Sequence, residues 1–134
     1  MVDLEARRDD VESYLELVED RSLDGIFIGR LAEHLPLSAL VRTLELAAQK
    51  LRGGGALVAE AINPFSPLAL RRYFADPTHS QPLVPETFER LARQAGFASV
   101  ETRFLEHPPR PDGVTAEVAD ILFAPFDYAL IARA

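Results

Sequence analysis

Cysteine is absent from the 134 residues. That excludes disulfides, cysteine-ligated zinc and thiol nucleophiles, and it suits a cytoplasmic location. No apolar run approaches the roughly 18 residues that a membrane-spanning helix needs, so no membrane partner is expected. The opening, MVDLEARRDDVESYL, is acidic and has no apolar core of the kind a signal peptide requires. Positive charge is scarce. The net charge of −7 argues against nucleic acid as a partner, because phosphate recognition needs a basic surface. Residues 1–20 carry eight acids against two arginines, which reads as a solvated helix face. Internal repeats and low-complexity segments are missing. So is glycine from the first 22 residues, although an apolar strand begins directly after them.

What is present suits one domain over residues 1–134 with a core of its own. An apolar content of 48% with 26% charged residues is ordinary for a globular chain. Residues 3–8 have the length of a short strand. Asp9 or Asp10 then caps a helix from about 11 to 19, with Val11, Tyr14, Leu15 and Val18 on one face. LDGIFIG, residues 23–29, is an apolar run of strand length, as in a buried parallel strand. Leu37, Leu40, Val41, Leu44, Ala48 and Leu51 follow helical spacing over about 37–52, and Gly54 and Gly55 turn the chain into a second buried strand over 55–61. Ser66 and Pro67 open a helix ending near Phe74. Two prolines make 76–84 a loop. Pro85 opens a further helix that Gly96 closes. Residues 98–105 alternate as a strand, 107–114 form a loop, 117–125 suit either helix or strand, and DYALIARA is a last strand. Strand–helix–strand alternation predicts an α/β fold with a parallel sheet under flanking helices. No helix separates the last two strands, so these pair antiparallel.

LDGIFIGRLAEHL resembles the fourth-strand segment of the class I S-adenosylmethionine-dependent methyltransferases, where a buried strand ends in a short loop followed by Glu-His-Leu. LRGGGALVAEAINP resembles that family's glycine turn into strand five. DPTHSQPLVPETFERLARQAGF and FDYALIARA resemble the C-terminal part of a bacterial subgroup whose members act on sugars and other small cell-envelope precursors. The resemblance spans about residues 5–134 and implies a Rossmann-like methyltransferase fold, with strands ordered 3-2-1-4-5-7-6 and strand 7 antiparallel. It implies S-adenosylmethionine as cofactor and a small polar acceptor as substrate. By the same resemblance, residues 3–8 are strand 3, Asp10 is the acid on the adenine side, Val11 offers a backbone N–H beside it, and Gly29, Arg30 and Leu31 form the pocket loop. Strands 1 and 2, with the Gly-x-Gly loop against which the cofactor lies, have no counterpart. Asp3 could imitate the ribose acid of strand 2, but it stands too close to Asp10 for a helix and a strand to fit between them.

Two readings follow. One is a methyltransferase whose first strands come from elsewhere. The other is a degenerate, non-catalytic module that has lost the cofactor and acts in dimerisation or partner binding. In both, the edge of strand 23–29 cannot stay bare, and it is expected to be closed by a rearranged N-terminal segment, a second copy in a homodimer, or a partner chain.

For chemistry, His34 is the candidate base for an acceptor hydroxyl, with Glu33 beside it; alternatively the two merely begin a helix. Glu60 and Asn63 at the end of strand five, and His79 in the following loop, are candidate substrate contacts; Asn63 equally suits a turn cap. Arg30 either binds an acceptor anion or pairs with an N-terminal acid, and Arg71 and Arg72 read as solvated. Metal-binding relatives carry a further Glu three residues before the Glu-His pair. Arg30 stands there instead, and no metal site is expected, although His79 could supply a third ligand.

Overall fold

The computed structural model describes residues 4–134. Helix α1, Val11–Leu17, is followed by strand β1, Leu23–Gly29, a 3-10 turn at Ala32–His34, and helix α2, Leu37–Lys50. Strand β2, Leu51–Ile62, leads into α3, Pro67–Ala75, then α4, Pro85–Ala95, β3, Ser99–Leu105, α5, Ala116–Leu122, and β4, Asp127–Arg133. The sheet has four strands in the order β1-β2-β4-β3. β1 and β2 are parallel, and β4 lies antiparallel to both β2 and β3. Three strands therefore run one way and the last runs against them.

Local signals place most boundaries. The Asp10 carboxylate accepts from the Ser13 N–H at 2.9 Å and caps α1. Ser66 accepts from the Ala69 N–H, and Pro67 occupies the first turn of α3. Gly96, at φ +111°, closes α4 in the left-handed conformation that glycine adopts without strain. The ambiguous 117–125 segment becomes α5 because Thr115 caps it through the Val118 N–H. Leu40, Leu44 and Ala47 of α2 pack with Ile28, Leu57, Ala59, Phe88, Tyr128 and Leu130, forming one apolar core between sheet and helices.

Two expectations change. The second strand begins at Leu51, not after the glycines. Leu51 is buried opposite Leu23, and the register shifts before Gly25 pairs with Ala56. Gly54 and Gly55 thus sit inside an irregular strand. At Gly55 a Cβ would meet the carbonyl oxygens of Arg52 and Asp24 at 3.0 Å, so a side chain there would force its backbone neighbours to shift.

The larger change is at the N-terminus. Residues 4–8 form no strand and are exposed; Asp3, at the head of the expected strand, lies outside the described residues. Among the described residues β1 pairs with β2 alone. The N-terminal segment therefore does not close the sheet. LEARRDD carries strand-like length but has no ladder to join, because the strands that would stand between it and β1 are not in this sequence.

Candidate functional site

The C-terminal ends of β1 and β2 meet the start of β4 at one edge of the sheet, where Ile62 and Leu105 both lie opposite Asp127. The loop after β1 is fixed there by its backbone. Arg30 adopts φ +51°, uncommon for a residue with a side chain, and its N–H donates to the Glu60 carbonyl at 3.1 Å. Its guanidinium reaches Asp127 at 2.9 Å, and Arg72 reaches the same carboxylate oxygen at 3.2 Å. Asp127 is 3% exposed, so two cations hold one buried anion. This corrects two expectations. Arg30 pairs with an acid of β4 and not with the N-terminal acids, and Arg72 is engaged and not simply solvated. Asp127 carried no signal in the sequence beyond a polar residue at a strand start.

Glu33 is buried at 1% exposure. Its Oε2 accepts from the Ile62 N–H at 3.1 Å, and its Oε1 has no partner. Burial pushes its pKa up, against the hydrogen bond from Ile62 and the positive charges of His79, Arg30 and His34. Glu33 thus ties the post-β1 turn to the end of β2. Asn63 is also buried, donating to the Pro125 carbonyl at 2.8 Å and accepting from the Phe65 N–H at 3.1 Å. Both ends of its amide serve the turn, as the cap reading describes. Glu60 is half-buried, on the strand face opposite Ala59 and Ala61.

His34 and His79 come together, with ring centroids 4.4 Å apart. The 76–84 loop is pinned across the post-β1 turn. The Ser80 N–H donates to the Glu33 carbonyl at 2.7 Å, and the Ser80 hydroxyl donates to the His34 carbonyl at 2.9 Å. His79 stacks on Tyr73 at 4.4 Å and 6°. Asp76 faces both rings, with Oδ2 at 3.9 Å from His34 Nε2 and 4.0 Å from His79 Nε2. Its Oδ1 accepts from the Thr78 hydroxyl at 2.6 Å and the Thr78 N–H at 2.9 Å, and the Thr78 bonds hold its pKa below the usual value. Sequence reasoning missed Asp76; the Asp-x-Thr spacing, which suits an Asx turn, was the available signal.

Asp10, Val11 and Leu31 line a second feature, a cleft of about 490 Å³ between α1 and α2 that Leu35, Ala39 and Thr43 also border. The Thr43 hydroxyl is buried there without a partner. Val11 is the first residue of α1, and its N–H has no carbonyl within the helix to bond. An acid, the first amide of α1 and apolar side chains line this cleft. Gly29 lies outside this cleft, in a neighbouring groove along β1, and Arg30 faces Asp127 instead.

No protein-family model and no curated protein matches the chain. Solved structures do. A SAM-dependent methyltransferase from Archaeoglobus fulgidus superposes with a TM-score of 0.83 at 31% identity, over 96% of this chain and 66% of that one. A Thermotoga maritima SAM-dependent methyltransferase, described as a possible histamine N-methyltransferase, gives 0.65 at 16% identity over 87% of this chain and 58% of that one. A Haloferax volcanii protein in complex with the Trm112 methyltransferase activator gives 0.62 at 14% identity over 88% and 56%. The chain thus spans less than two thirds of the length of each.

Proposed function

We propose, for a chain that has the fold of the class I S-adenosylmethionine-dependent methyltransferases and carries the C-terminal half of it, that it forms the acceptor side of an enzyme methylating a small polar molecule. The observation that carries this reading is the match to the Archaeoglobus methyltransferase, at 31% identity over 96% of the chain. S-adenosylmethionine lies with its adenine in the cleft of Asp10, Val11 and Leu31. His34 activates the acceptor hydroxyl. Its Nδ1 is engaged with Thr78 at 2.8 Å, which leaves Nε2 free to take the proton as the methyl group arrives. Glu33 positions the turn that carries His34. Arg30, Glu60 and His79 border the acceptor. No ion is needed in this reading, and an absence of cysteine suits a cytoplasmic setting.

The grip on the methionine end of the cofactor comes from residues beyond these 134, in the same polypeptide or in a partner chain, and it enters along the outer edge of β1. Amides of alternate residues in a parallel strand point to opposite neighbours. The Arg30 N–H points to β2, so those of Ile28 and Ile26 do too, while those of Phe27 and Gly29 face outward. Phe27 is 65% exposed on that edge strand. Phe27→Pro removes an outward donor without breaking a bond to β2. The variant is expected to fold with an unchanged melting temperature but to lose docking of the completing strand by roughly 100-fold, measured by light scattering and pull-down of the assembly. A second copy of this chain is the alternative occupant and would give a homodimer without a glycine loop, the non-catalytic reading. Transfer of labelled methyl from S-adenosylmethionine to small polar acceptors by the completed assembly tests the proposal. A completed assembly that binds neither cofactor nor acceptor would favour the non-catalytic dimer.

A further inference from the structure

We infer that His34, Asp76 and His79 form a site for a borderline divalent metal ion, zinc or a first-row neighbour, bound through the two Nε2 atoms and Asp76 Oδ2. One ligand atom from each of the three residues lies within 4.8 Å of the others, and Asp76 Oδ2 stands 3.9 and 4.0 Å from the two Nε2 atoms. The hydrogen bonds around them fix which nitrogen carries a proton. His79 Nδ1 lies 2.6 Å from the Tyr73 carbonyl. A carbonyl only accepts, so Nδ1 holds the hydrogen and Nε2 holds a lone pair. The Thr78 hydroxyl gives its hydrogen to Asp76 Oδ1 at 2.6 Å, since a carboxylate only accepts. Its oxygen must then accept from His34 Nδ1 at 2.8 Å, and His34 also carries its lone pair on Nε2. Two imidazole lone pairs and one free carboxylate oxygen thus converge.

The spacing also speaks for an ion. At 3.9 and 4.0 Å the Nε2–Oδ2 pairs are too far apart for hydrogen bonds. Around a tetrahedral ion with bonds of about 2.0–2.1 Å, ligand atoms stand roughly 3.3 Å apart, so an inward shift of about half an ångström completes the shell. Each ligand is already oriented by an outer partner, as metal-binding histidines and carboxylates are: His79 by the Tyr73 carbonyl, His34 by Thr78, Asp76 by the Thr78 hydroxyl and N–H. His79 is held further by its stack on Tyr73 and is 7% exposed. Two nitrogens and one oxygen suit zinc, cobalt, nickel or iron, not calcium or magnesium. The inference departs from the expectation, drawn from Arg30, that no metal site exists: Asp76 joins His34 and His79 as a ligand, and position 30 is not needed. Three protein ligands leave one position open, where an acceptor oxygen can bind. That use rests on the reading of this edge as the acceptor side and would replace direct proton transfer to His34 Nε2, since one lone pair cannot serve both; binding of the ion depends on neither.

Titration of the metal-free protein with Zn²⁺ by calorimetry, and with Co²⁺ by visible absorption, tests the site. One equivalent is expected, with a Kd below about 10 µM, and Co²⁺ is expected to give the intense bands of a four-coordinate ion. Asp76→Asn and His34→Gln should each weaken binding by on the order of 100-fold, and Thr78→Val, which removes no ligand, by about 10-fold or more. His107→Gln, an exposed histidine elsewhere, should change nothing. Circular dichroism confirms that each variant is folded. Absence of stoichiometric binding, or binding indifferent to Asp76 and His34, overturns the inference. Either result stands apart from cofactor binding and methyl transfer, which the ion titration does not read.

Discussion

His34→Ala in the completed enzyme will lower turnover by roughly 10² to 10⁴-fold, the span that a positioned proton acceptor contributes, while the affinity for S-adenosylmethionine stays within about twofold. The separation of the two effects follows from the geometry. His34 sits at the end of the post-β1 turn, hydrogen-bonded to Thr78 of the loop over the sheet edge, and is 29% exposed there. The cleft proposed for adenine is lined by other residues, Leu31 and Leu35 among them. Truncating the imidazole removes the Nε2 lone pair without opening the core, because the turn is held by Glu33, Ser80 and backbone bonds. Single-turnover methyl transfer and cofactor titration on the same preparation separate the two quantities. Full turnover in the variant would remove His34 from the chemistry.

Replacing Arg30 and Arg72 together by alanine will destabilise the fold by about 3 kcal/mol, against about 1 kcal/mol for either alone. Asp127 is buried, and its Oδ1 meets both guanidinium groups while its Oδ2 has no partner. One arginine suffices to keep the buried charge paired. Losing both leaves an uncompensated carboxylate inside the protein, the costly case. The arginines are themselves 41% and 50% exposed, which lowers the value of each pair below that of a fully buried one. The triple variant with Asp127→Asn should recover most of the loss, because the unpaired charge is then gone. Denaturant unfolding of the four variants beside the unsubstituted protein reads the pattern. Equal, additive losses from the two arginines would show that they act independently of Asp127. For a domain whose total stability is expected near 5–15 kcal/mol, the double change is a large fraction.

Local chemistry made much of the fold legible. Ser66 with Pro67, Gly96, and the apolar spacing of Leu40, Leu44 and Ala47 each act within one turn of chain, and each marks the element it stands in. The resemblance supplied the strand order, which no local signal carries. The strand expected over 3–8 does not form at residues 4–8, because a strand is defined by its neighbour and no edge among the described residues receives them. The candidate site was legible in its parts but not in its pairings. His34 and His79 stand far apart in sequence, and the polar atoms that orient them belong to Asp76, Thr78 and a backbone carbonyl. Glu33 looked like a partner of His34 or a plain helix start and is buried, with the amide at the end of β2 as its partner. Arg30 was open to an acceptor anion or an N-terminal acid, yet its partner is Asp127 at the start of β4, on the other side of β2.

In the proposed enzyme these residues supply the adenine cleft and the acceptor side, and the cofactor is gripped only once a further strand and its loop join the edge of β1. Titration of the chain alone with S-adenosylhomocysteine by calorimetry tests this most directly. A Kd weaker than about 100 µM is expected, corresponding to less than roughly 5.5 kcal/mol of binding free energy. A Kd tighter than that would show that these residues hold the cofactor unaided, and would contradict the need for a completing half.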